Sequence, residues 1–579
     1  MKALQSAKAA FNRMLGRHPK LEVKVRLAQR RYYASHGHFP DLTPMLGGDR
    51  DEWRRTVEAS RDKPVVLIPT SIGSMHGAIY LETVLAMGLA LRGMRPVVML
   101  CDGVLPACQE CSYKWFPDMA KFAAVGPAGG PQRRLCDTCH APASRMLASL
   151  GIEVVRYSDF LTPEDHQLAE QIASGAAPAD VAQLKLDGLA IGEHALAGAL
   201  RFFARATLDG EPAGQAVLRR YLRASVLAAR AMQGAIDKLQ PKSSVFNHGI
   251  YVPQGLLGEV ARQRGLPLSN WNPAYRSGCF VFSHGDTYHH TLLDEPTSTW
   301  ENIDFTPPLR DRTMNYLHSR RYGRNDWIWF HEKPNFDLAP VSRELGIDFD
   351  KPYVGLLTNV AWDAQLHYRE NAFANMMDWL IKSVRYFAGR ADLQLLIRIH
   401  PAERTAGLPS RQRALDELRK AMPELPDNVF ILGPEHTAST YAVMSKANAA
   451  IIYGTKTGVE LAAVGTPVIV AGEAWSRNKG ITIDAHSERE YYEILDRLPF
   501  QAGMSDEQIE RARQYAFHFF FRRMIPVKAM TPAPDWRPYV MGFNGLDVLR
   551  PGGCGGLDVI CRGVIDGEPY VYPAECEEK

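Results

Sequence analysis

The sequence lacks a long apolar run and is poor in cysteine. No uninterrupted apolar stretch approaches the ~20 residues that a membrane-spanning helix needs, and the first twenty residues lack the apolar core and cleavage site of a signal peptide. Nine cysteines in 579 residues are too few, and odd in number, for a secreted disulfide scaffold. Hydrophobic (46%) and charged (23%) contents are those of globular proteins, which excludes wholesale disorder. We therefore expect a folded cytoplasmic protein.

A strong net charge is also absent, but the charge is unevenly distributed. The formal net charge is +3, whereas residues 1–31 hold nine Lys/Arg and a single acid, Glu22, so the rest of the chain is mildly acidic. An acidic body argues against a nucleic-acid partner, which a basic face would bind. Two interpretations of the basic segment stay open. It lies on the anionic inner face of a membrane, or it docks on the protein with a solvated charged face.

Alternating strands and helices occur in two series. VVLIP at 65–69, a glycine loop, a helix and VVMLCDG at 97–103 form the first strand–helix–strand unit, and YVGLLTN at 353–359 begins the second series. Further apolar runs predict strands at 152–157, 243–247, 279–282, 393–399, 428–432, 449–453 and 467–471. The fold class is therefore α/β, with two Rossmann-like doubly wound domains that face a cleft. Ligands of such domains bind at the carboxyl ends of the strands.

A glycine loop, GTKTG, follows the strand AAIIY in the second half. It runs from Gly454 to Gly458, where glycine permits a close approach of the backbone, and a helix follows. Side chains that suit a phosphate accompany it: Thr455, Lys456, Thr457 and, further along the chain, Lys479. Thr457 is placed to cap the helix, and Glu460 to hold ribose hydroxyls. The alternative is an ordinary strand–turn–helix connection with a capping threonine.

A second polar motif ends the strand LQLLIRI. Alternation along the strand puts Arg398 and His400 on one side, and Pro401 ends the strand. An arginine and a histidine at a strand end suit a nucleotide phosphate or base. Asn359 and Asp363 follow the strand at 353–359, so we expect them to face the same cleft.

These two motifs carry a resemblance to a known family. RIHP, followed by YGTKTGVELAAVGTPVIVAGEAWSRNKGITID, resembles bacterial capsule and surface-polysaccharide glycosyltransferases of the Kdo-transferase type and, more distantly, polysialyltransferases. The resemblance spans about 350–485 and, more loosely, 64–290. It implies the GT-B fold and a CMP-sugar donor such as CMP-Kdo, held by His400-Pro401 and by Thr455 and Thr457. Where the family has two serines, this sequence has Thr-Lys-Thr.

With the resemblance, the chain divides into six predicted segments. They are a basic helical arm (1–60), a first domain for the acceptor (61–290) with a cysteine-bearing insertion (about 104–145), an interdomain segment (291–350), a second domain for the donor (351–505), helices that brace the first domain (506–536) and a glycine-rich tail (537–579). The tail is either a small β appendage or flexible.

The expected activity is a metal-independent glycosyl transfer to a saccharide, free or lipid-linked. Positive groups around the leaving phosphate replace a metal, and a base near the acceptor hydroxyl is needed. Candidate bases at predicted strand ends are His76, Asp102 and His248. A histidine cluster at His284, His289 and His290 either binds an anionic sugar or is simply exposed. The alternatives are an enzyme of the UDP-GlcNAc 2-epimerase kind, a glycerophosphotransferase and a non-catalytic saccharide-binding subunit.

The cysteines form one marked pattern. Cys108 and Cys111 make one CxxC pair, and Cys136 and Cys139 make a second after 24 residues. Two such pairs predict a structural, four-thiolate zinc site, with an iron–sulfur cluster as the alternative. CDTCH also fits c-type haem attachment, which we exclude because an export signal is lacking and the other pair would be unexplained.

Overall fold

The structure is a computed structural model that describes residues 18–124, 133–322, 326–327, 334–363, 369–405 and 407–577. Its strands form two large sheets and one hairpin. In chain order they are β1 (Val65–Ser71), β2 (Arg95–Leu100), β3 (Glu153–Arg156), β4 (Ser243–Asn247), β5 (Leu268–Pro273), β6 (Cys279–His284), β7 (Tyr353–Leu357), β8 (Gln394–Arg398), β9 (Val429–Leu432), β10 (Ala449–Ile452), β11 (Val468–Val470), β12 (Ile483–Asp484), β13 (Ile525–Pro526), β14 (Met530–Pro532) and β15 (Tyr539–Met541).

Helices cover both faces of the two large sheets. Those before the second sheet are α1 (Pro19–Ser35), α2 (Arg50–Ser60), α3 (His76–Ala90), α4 (Met119–Ala124), α5 (Arg133–Cys136), α6 (His140–Ala148), α7 (Pro163–Gly175), α8 (Ile191–Phe203), α9 (Gly214–Leu239), α10 (Gln254–Gln263), α11 (Tyr288–Asp294), α12 (Pro307–Arg320) and α13 (Ala339–Leu345). Those that follow are α14 (Met376–Ala388), α15 (Ala402–Thr405), α16 (Ala414–Ala421), α17 (Thr440–Met444), α18 (Thr457–Ala463), α19 (Glu488–Leu495), α20 (Asp506–Phe517) and α21 (Gly555–Asp566).

The first sheet has the order β13-β6-β5-β4-β1-β2-β3. The strands from β5 to β3 pair in parallel, and β6 and β13 extend the edge antiparallel. β1 is buried along its whole length because helices cover both faces, as its apolar sequence predicts. The strand order reverses between β1 and β4, so a crevice opens at their carboxyl ends.

The second sheet has the order β12-β11-β10-β7-β8-β9, and all its pairs are parallel. Here the order reverses between β7 and β10. The α/β class and the two doubly wound sheets are therefore as predicted. β5 was not predicted, because its sequence LSNWNP has no apolar run.

The chain returns to the first domain after the second sheet. α20 leads into β13, which pairs with β6 at the edge of the first sheet. α21 packs on α3, where Gly88 leaves room for Leu557 and Cys561. The tail beyond residue 537 thus contains β15 and a packed helix within the described part of the chain.

At the other end, α1 docks on the first domain. Its Leu27 is buried, and Arg30 donates through Nε to Thr138 Oγ1 (2.8 Å) and through Nη1 to Glu110 Oε2 (2.6 Å). Residues 1–17 of the predicted basic arm lie outside the described residues. Of the helices that the structure describes, none is both long and apolar enough to cross a membrane.

Candidate functional site

A cavity of about 440 Å³ lies at the carboxyl edge of the second sheet. Residues that follow β7, β8, β10 and β11 form one wall. The opposite wall comes from the first domain and the interdomain segment: Tyr275, Tyr288, His289, Arg320, Arg321, Asp326 and Pro334. The cavity therefore lies between the domains, where the strand order of the second sheet reverses, which is the usual ligand position in such folds.

The structure describes all eleven residues that the sequence predicted for donor binding. Eight of them line this cavity: Asn359, Arg398, His400, Pro401, Gly454, Thr455, Lys456 and Thr457. The other three, Gly458, Glu460 and Lys479, do not line it. The two motifs that carry the resemblance are thus brought together by the fold.

The GTKTG loop differs from its prediction in one respect. Thr457 is the first residue of α18 rather than its cap, and no side chain in the described ranges caps this helix. The hydroxyls of Thr455 and Thr457 lie 3.1 Å apart at the cavity wall. Gly458 serves packing, because a Cβ there would lie 2.6 Å from Ile452 Cδ1 and 2.9 Å from Ser476 Oγ. The threonine hydroxyls, not a helix cap, are what this loop offers to a ligand.

Glu460 is buried, does not line the cavity and has three side-chain partners, whereas its ribose contact stays a prediction. Lys456 Nζ lies 2.7 Å from Oε1, Arg320 Nε lies 3.2 Å from Oε2, and the Tyr441 hydroxyl donates to Oε2. Burial alone would raise the pKa of Glu460, but the charges of Arg320 and Lys456 outweigh burial and lower it to about 2. The Glu460 carboxylate therefore holds Arg320 and Lys456, two cationic side chains of the cavity wall, in position.

His400 and Arg398 have different surroundings. The Ala402 N–H donates to His400 Nδ1 (3.1 Å), which places the ring proton of the neutral imidazole on Nε2. The Arg398 guanidinium instead donates to the carbonyls of Gly433 and His436. Burial lowers the pKa of Arg398 to about 10. Arg398 therefore fixes the loop before α17 and also lines the cavity, and its phosphate contact stays a prediction.

Two cavity groups lack partners. Within the described residues, the Arg321 side chain forms neither an ion pair nor a hydrogen bond, although Arg320 beside it is paired with Asp326. Asn359 Oδ1 is buried and, in the same part of the chain, has no hydrogen-bond partner. An unpaired cation and an unsatisfied buried polar atom point to an anionic, polar ligand.

Sequence reasoning missed the wall from the interdomain segment. Arg320, Arg321 and Asp326 belong to a stretch that we interpreted as a divide between the domains. The one available signal was the basic run SRRYGR at 319–324. Tyr275 was missed as well, and its ring lies 4.6 Å from Lys456 Nζ.

Of the three candidate bases, only His248 lies near the cavity. It follows β4 with φ +68°, and its ring neighbours those of Tyr251 and Tyr288. Its Nδ1 is buried and has no hydrogen-bond partner in the described stretches. Burial lowers the pKa of His248 to about 4, although the Asp363 carboxylate opposes this shift. His248 is not a cavity-lining residue, but Asp363 is, and the Tyr251 hydroxyl donates to Asp363 Oδ1 (2.9 Å) across the two domains.

His76 and Asp102 do not line the cavity. His76 packs among aromatic rings, including His38 at 5.1 Å and Trp536 at 5.5 Å, and burial lowers its pKa to about 3. Asp102 follows β2, and β1 separates β2 from the crevice between β1 and β4. The Asp102 carboxylate accepts a hydrogen bond from the Ser158 hydroxyl (2.6 Å). His76 is the first residue of α3 rather than the end of a strand, and both residues lie away from the cavity.

Lys479 is buried and does not line the cavity, whereas its phosphate contact stays a prediction. Its Nζ donates to the carbonyls of Leu293 (2.9 Å) and Glu295 (2.6 Å) at the end of α11. Burial lowers its pKa to about 8. Lys479 thus joins the second domain to the first.

The histidine cluster is split by the fold. His289 lines the cavity and lies 3.1 Å from Glu473 Oε2, whereas His290 pairs with Asp286 (3.2 Å). His284 stacks on Tyr570 with ring centroids 4.2 Å apart. Only His289 is therefore placed to meet a ligand in the cavity.

The two CxxC pairs lie on either side of Arg30. Glu110 is inside the first pair and Thr138 inside the second, and Arg30 binds both. All nine cysteines are free thiols. Within the described ranges, no group of three or more His, Cys, Asp or Glu side chains is assembled as a metal site.

Comparisons with known proteins give fold neighbours only. No family model and no curated protein match the chain. Two solved structures of Thermosulfurimonas dismutans KpsC, the beta Kdo 2,4 and 2,7 transferases, are 13% and 15% identical, cover 47% and 49% of this chain and 79% of their own, and have TM-scores of 0.31 and 0.30. A UDP-GlcNAc 2-epimerase from Neisseria meningitidis is 9% identical over 77% of this chain and 94% of its own, with a TM-score of 0.24. At such scores the likeness does not decide the activity.

Proposed function

We propose that the protein is a glycosyltransferase that binds a nucleotide-sugar in the interdomain cavity and transfers the sugar to a saccharide of a surface polysaccharide. The observation that carries this proposal is that Arg321, which has no partner among the described residues, lines one cavity between two doubly wound domains together with His400 and Asp363. Hydrogen-bond donors for an anion and a carboxylate that can accept a proton thus line one cavity.

The phosphate of the donor would rest on the cationic wall. Arg321 and Lys456 supply positive charge, and the Thr455 and Thr457 hydroxyls supply hydrogen bonds. Such groups stabilise the charge that develops on a leaving phosphate in a site that excludes water. This arrangement performs the role of a metal with side chains alone. The His-Pro motif of the resembled family favours a CMP-sugar such as CMP-Kdo.

Asp363 is the best-placed proton acceptor. Its carboxylate lines the cavity, and the bond from Tyr251 orients it from the first domain, where the acceptor is expected. The acceptor hydroxyl would lose its proton to Asp363 as the new glycosidic bond forms and the nucleotide leaves. His248 stays neutral at neutral pH, since burial lowers its pKa to about 4.

A melting-temperature panel of CMP, CDP, UDP, GDP and dTDP tests the proposal. A nucleotide at about 100 times its Kd stabilises the native state by roughly 2.7 kcal/mol, a shift of a few degrees in a domain of this size. A selective shift with CMP supports a CMP-sugar donor. A shift with UDP alone supports an epimerase, and a shift with CDP alone supports a transferase of glycerophosphate. No shift with any nucleotide contradicts an enzyme of this class and favours a saccharide-binding subunit.

We also propose that Cys108, Cys111, Cys136 and Cys139 bind one structural zinc ion. Support comes from their chemistry: free thiols in two CxxC pairs, which Arg30 links through Glu110 and Thr138. Because no three ligands are assembled as a metal site within the described residues, zinc binding requires the four thiols to approach one another. A shell of four thiolates leaves no open position, so the ion would stabilise the insertion and take no part in transfer.

A further inference from the structure

Large apolar side chains on the surface are concentrated in one region. Four are prominently exposed in the described part of the chain: Leu21 (46%), Tyr32 (58%), Tyr322 (43%) and Trp536 (62%). Leu21 and Tyr32 lie on α1, and the Trp536 ring lies 6.2 Å from that of Tyr33 on the same helix. Three of the four therefore share one surface, which we call the α1–Trp536 surface.

One face of α1 builds most of this surface. Leu21, Lys24, Ala28, Arg31 and Tyr32 are all exposed and recur at helical spacing, while Leu27 is buried. Leu21 and Tyr32 are three turns apart, so an apolar side chain stands near each end of the exposed face. Leu27 and Arg30 attach the opposite face of α1 to the first domain. The exposed face can therefore contact a partner.

The surface is also basic. Lys20, Lys24 and Arg31 are exposed and, among the described residues, have no ion-pair partner. The acids nearby are neutralised: Glu22 pairs with Arg26 (2.6 Å), and Asp535 pairs with Arg537 (2.8 Å). Three unpaired cations beside three exposed apolar side chains make the surface complementary to an anionic one.

Trp536 is held in its exposed position. It lies in the loop between β14 and β15, and its neighbour Arg537 donates to the Tyr80 hydroxyl of α3 (2.9 Å). His38 Nε2 lies 3.6 Å from Asp535 Oδ2 on the other side. The loop is therefore anchored on both sides, and the exposure of the indole is a built feature of the fold.

We propose that the α1–Trp536 surface binds a lipid bilayer that contains anionic headgroups. An exposed helix face with Lys and Arg, flanked by Tyr and Trp, is the pattern of a helix that lies in the membrane interface. The unpaired cations among the described residues of this surface suit anionic headgroups. Arg30 also binds the Ser74 hydroxyl, just after β1. Membrane binding would therefore turn the carboxyl edge of the first sheet, where we expect the acceptor, toward the lipid.

Vesicle co-sedimentation of the full-length protein tests this. The probes are vesicles of phosphatidylcholine alone and with 30% phosphatidylglycerol, at low and high salt. We expect binding to the anionic vesicles only, and its loss at high salt because surface charges are then screened. The triple variant Lys20→Gln/Lys24→Gln/Arg31→Gln should bind about a hundredfold more weakly, at about fivefold for each cation near an anionic surface. Trp536→Ala should weaken binding further.

The matched control is Arg343→Gln/Arg419→Gln/Lys446→Gln, which removes three exposed cations from the interdomain segment and the second domain. It should bind as the wild type does. Absence of wild-type binding to the anionic vesicles, or equal loss in both triple variants, overturns the proposal. Nucleotide binding by the first triple variant shows that it is folded, and it is independent of this result. Failure here therefore leaves the proposed transferase activity untouched.

Discussion

Glu460→Gln is the substitution that best separates a structural role from a ligand-binding role in the cavity. The substitution keeps the shape of the side chain and removes the charge that Arg320 and Lys456 both face. The pKa of Glu460 falls from its ordinary 4.5 to about 2, which corresponds to about 3 kcal/mol of stability at neutral pH. Loss of one partner from a buried ion pair typically costs about 3–5 kcal/mol, so the two figures agree.

The assay is calorimetric unfolding of the ligand-free protein between pH 4 and pH 8. A loss of about 3 kcal/mol should lower the melting temperature of the second domain by roughly 6–12 °C. The control Glu435→Gln removes an exposed carboxylate that pairs with Arg404 at 3.1 Å, and should change stability by less than about 1 kcal/mol.

The pH dependence has a definite sign. Because the folded pKa of Glu460 lies below its unfolded value, its stabilisation is complete above about pH 4.5 and is lost as the pH falls toward 2. The gap between wild type and Glu460→Gln should therefore be constant from pH 8 to pH 5 and narrow below pH 4.5. Equal stability of the two proteins at pH 7, together with weaker nucleotide binding by the variant, would contradict a structural role of Glu460. It would support the predicted contact between Glu460 and the ribose.

Two further changes test the remaining assignments. Asp363→Asn should reduce the rate of transfer by about 10²–10⁴-fold, because the proton acceptor is lost. The Kd for nucleotide, measured by titration, should be nearly unchanged. Near-normal turnover would show that Asp363 does not act in the reaction. Elemental analysis should find about one zinc ion per chain in the wild type and in Cys576→Ser, an exposed cysteine outside the pairs. Cys136→Ser/Cys139→Ser should lose that zinc. If the wild-type protein is brown and contains iron, the site holds an iron–sulfur cluster and the zinc assignment is wrong.

Strand positions were predictable because strands buried in parallel sheets are short apolar runs. AAIIY contains β10 and LQLLIRI contains β8, and the polar residues that follow both line the cavity. The order of strands within a sheet was not predictable, since the crossovers that set it leave no local signal. Asp102, after β2, and His248, after β4, thus looked equivalent in the sequence. Of these two strands, β4 borders the point where the strand order of the first sheet reverses and β2 does not.

Charge was visible in the sequence, but its partners were not. Glu460 and Lys479 were predicted to face a ligand, yet the fold buries them against Arg320 and against the carbonyls after α11. Within the described residues Arg321 has no ion-pair partner, whereas its neighbour Arg320 forms the internal pairs. The packing of the interdomain segment against the second sheet decides which of the two arginines, Arg320 or Arg321, can bind a ligand, and this packing is not visible in the sequence.

Titration calorimetry of the nucleotide that the melting panel selects tests the central claim most directly. The proteins are wild type, Arg321→Gln and the control Arg343→Gln, which changes an exposed arginine on α13. Hydrogen bonds between charged groups contribute about 1.5–3 kcal/mol, so we predict that Arg321→Gln weakens binding by roughly 10- to 150-fold and that the control binds normally. Equal affinity of all three proteins would contradict a nucleotide phosphate in this cavity.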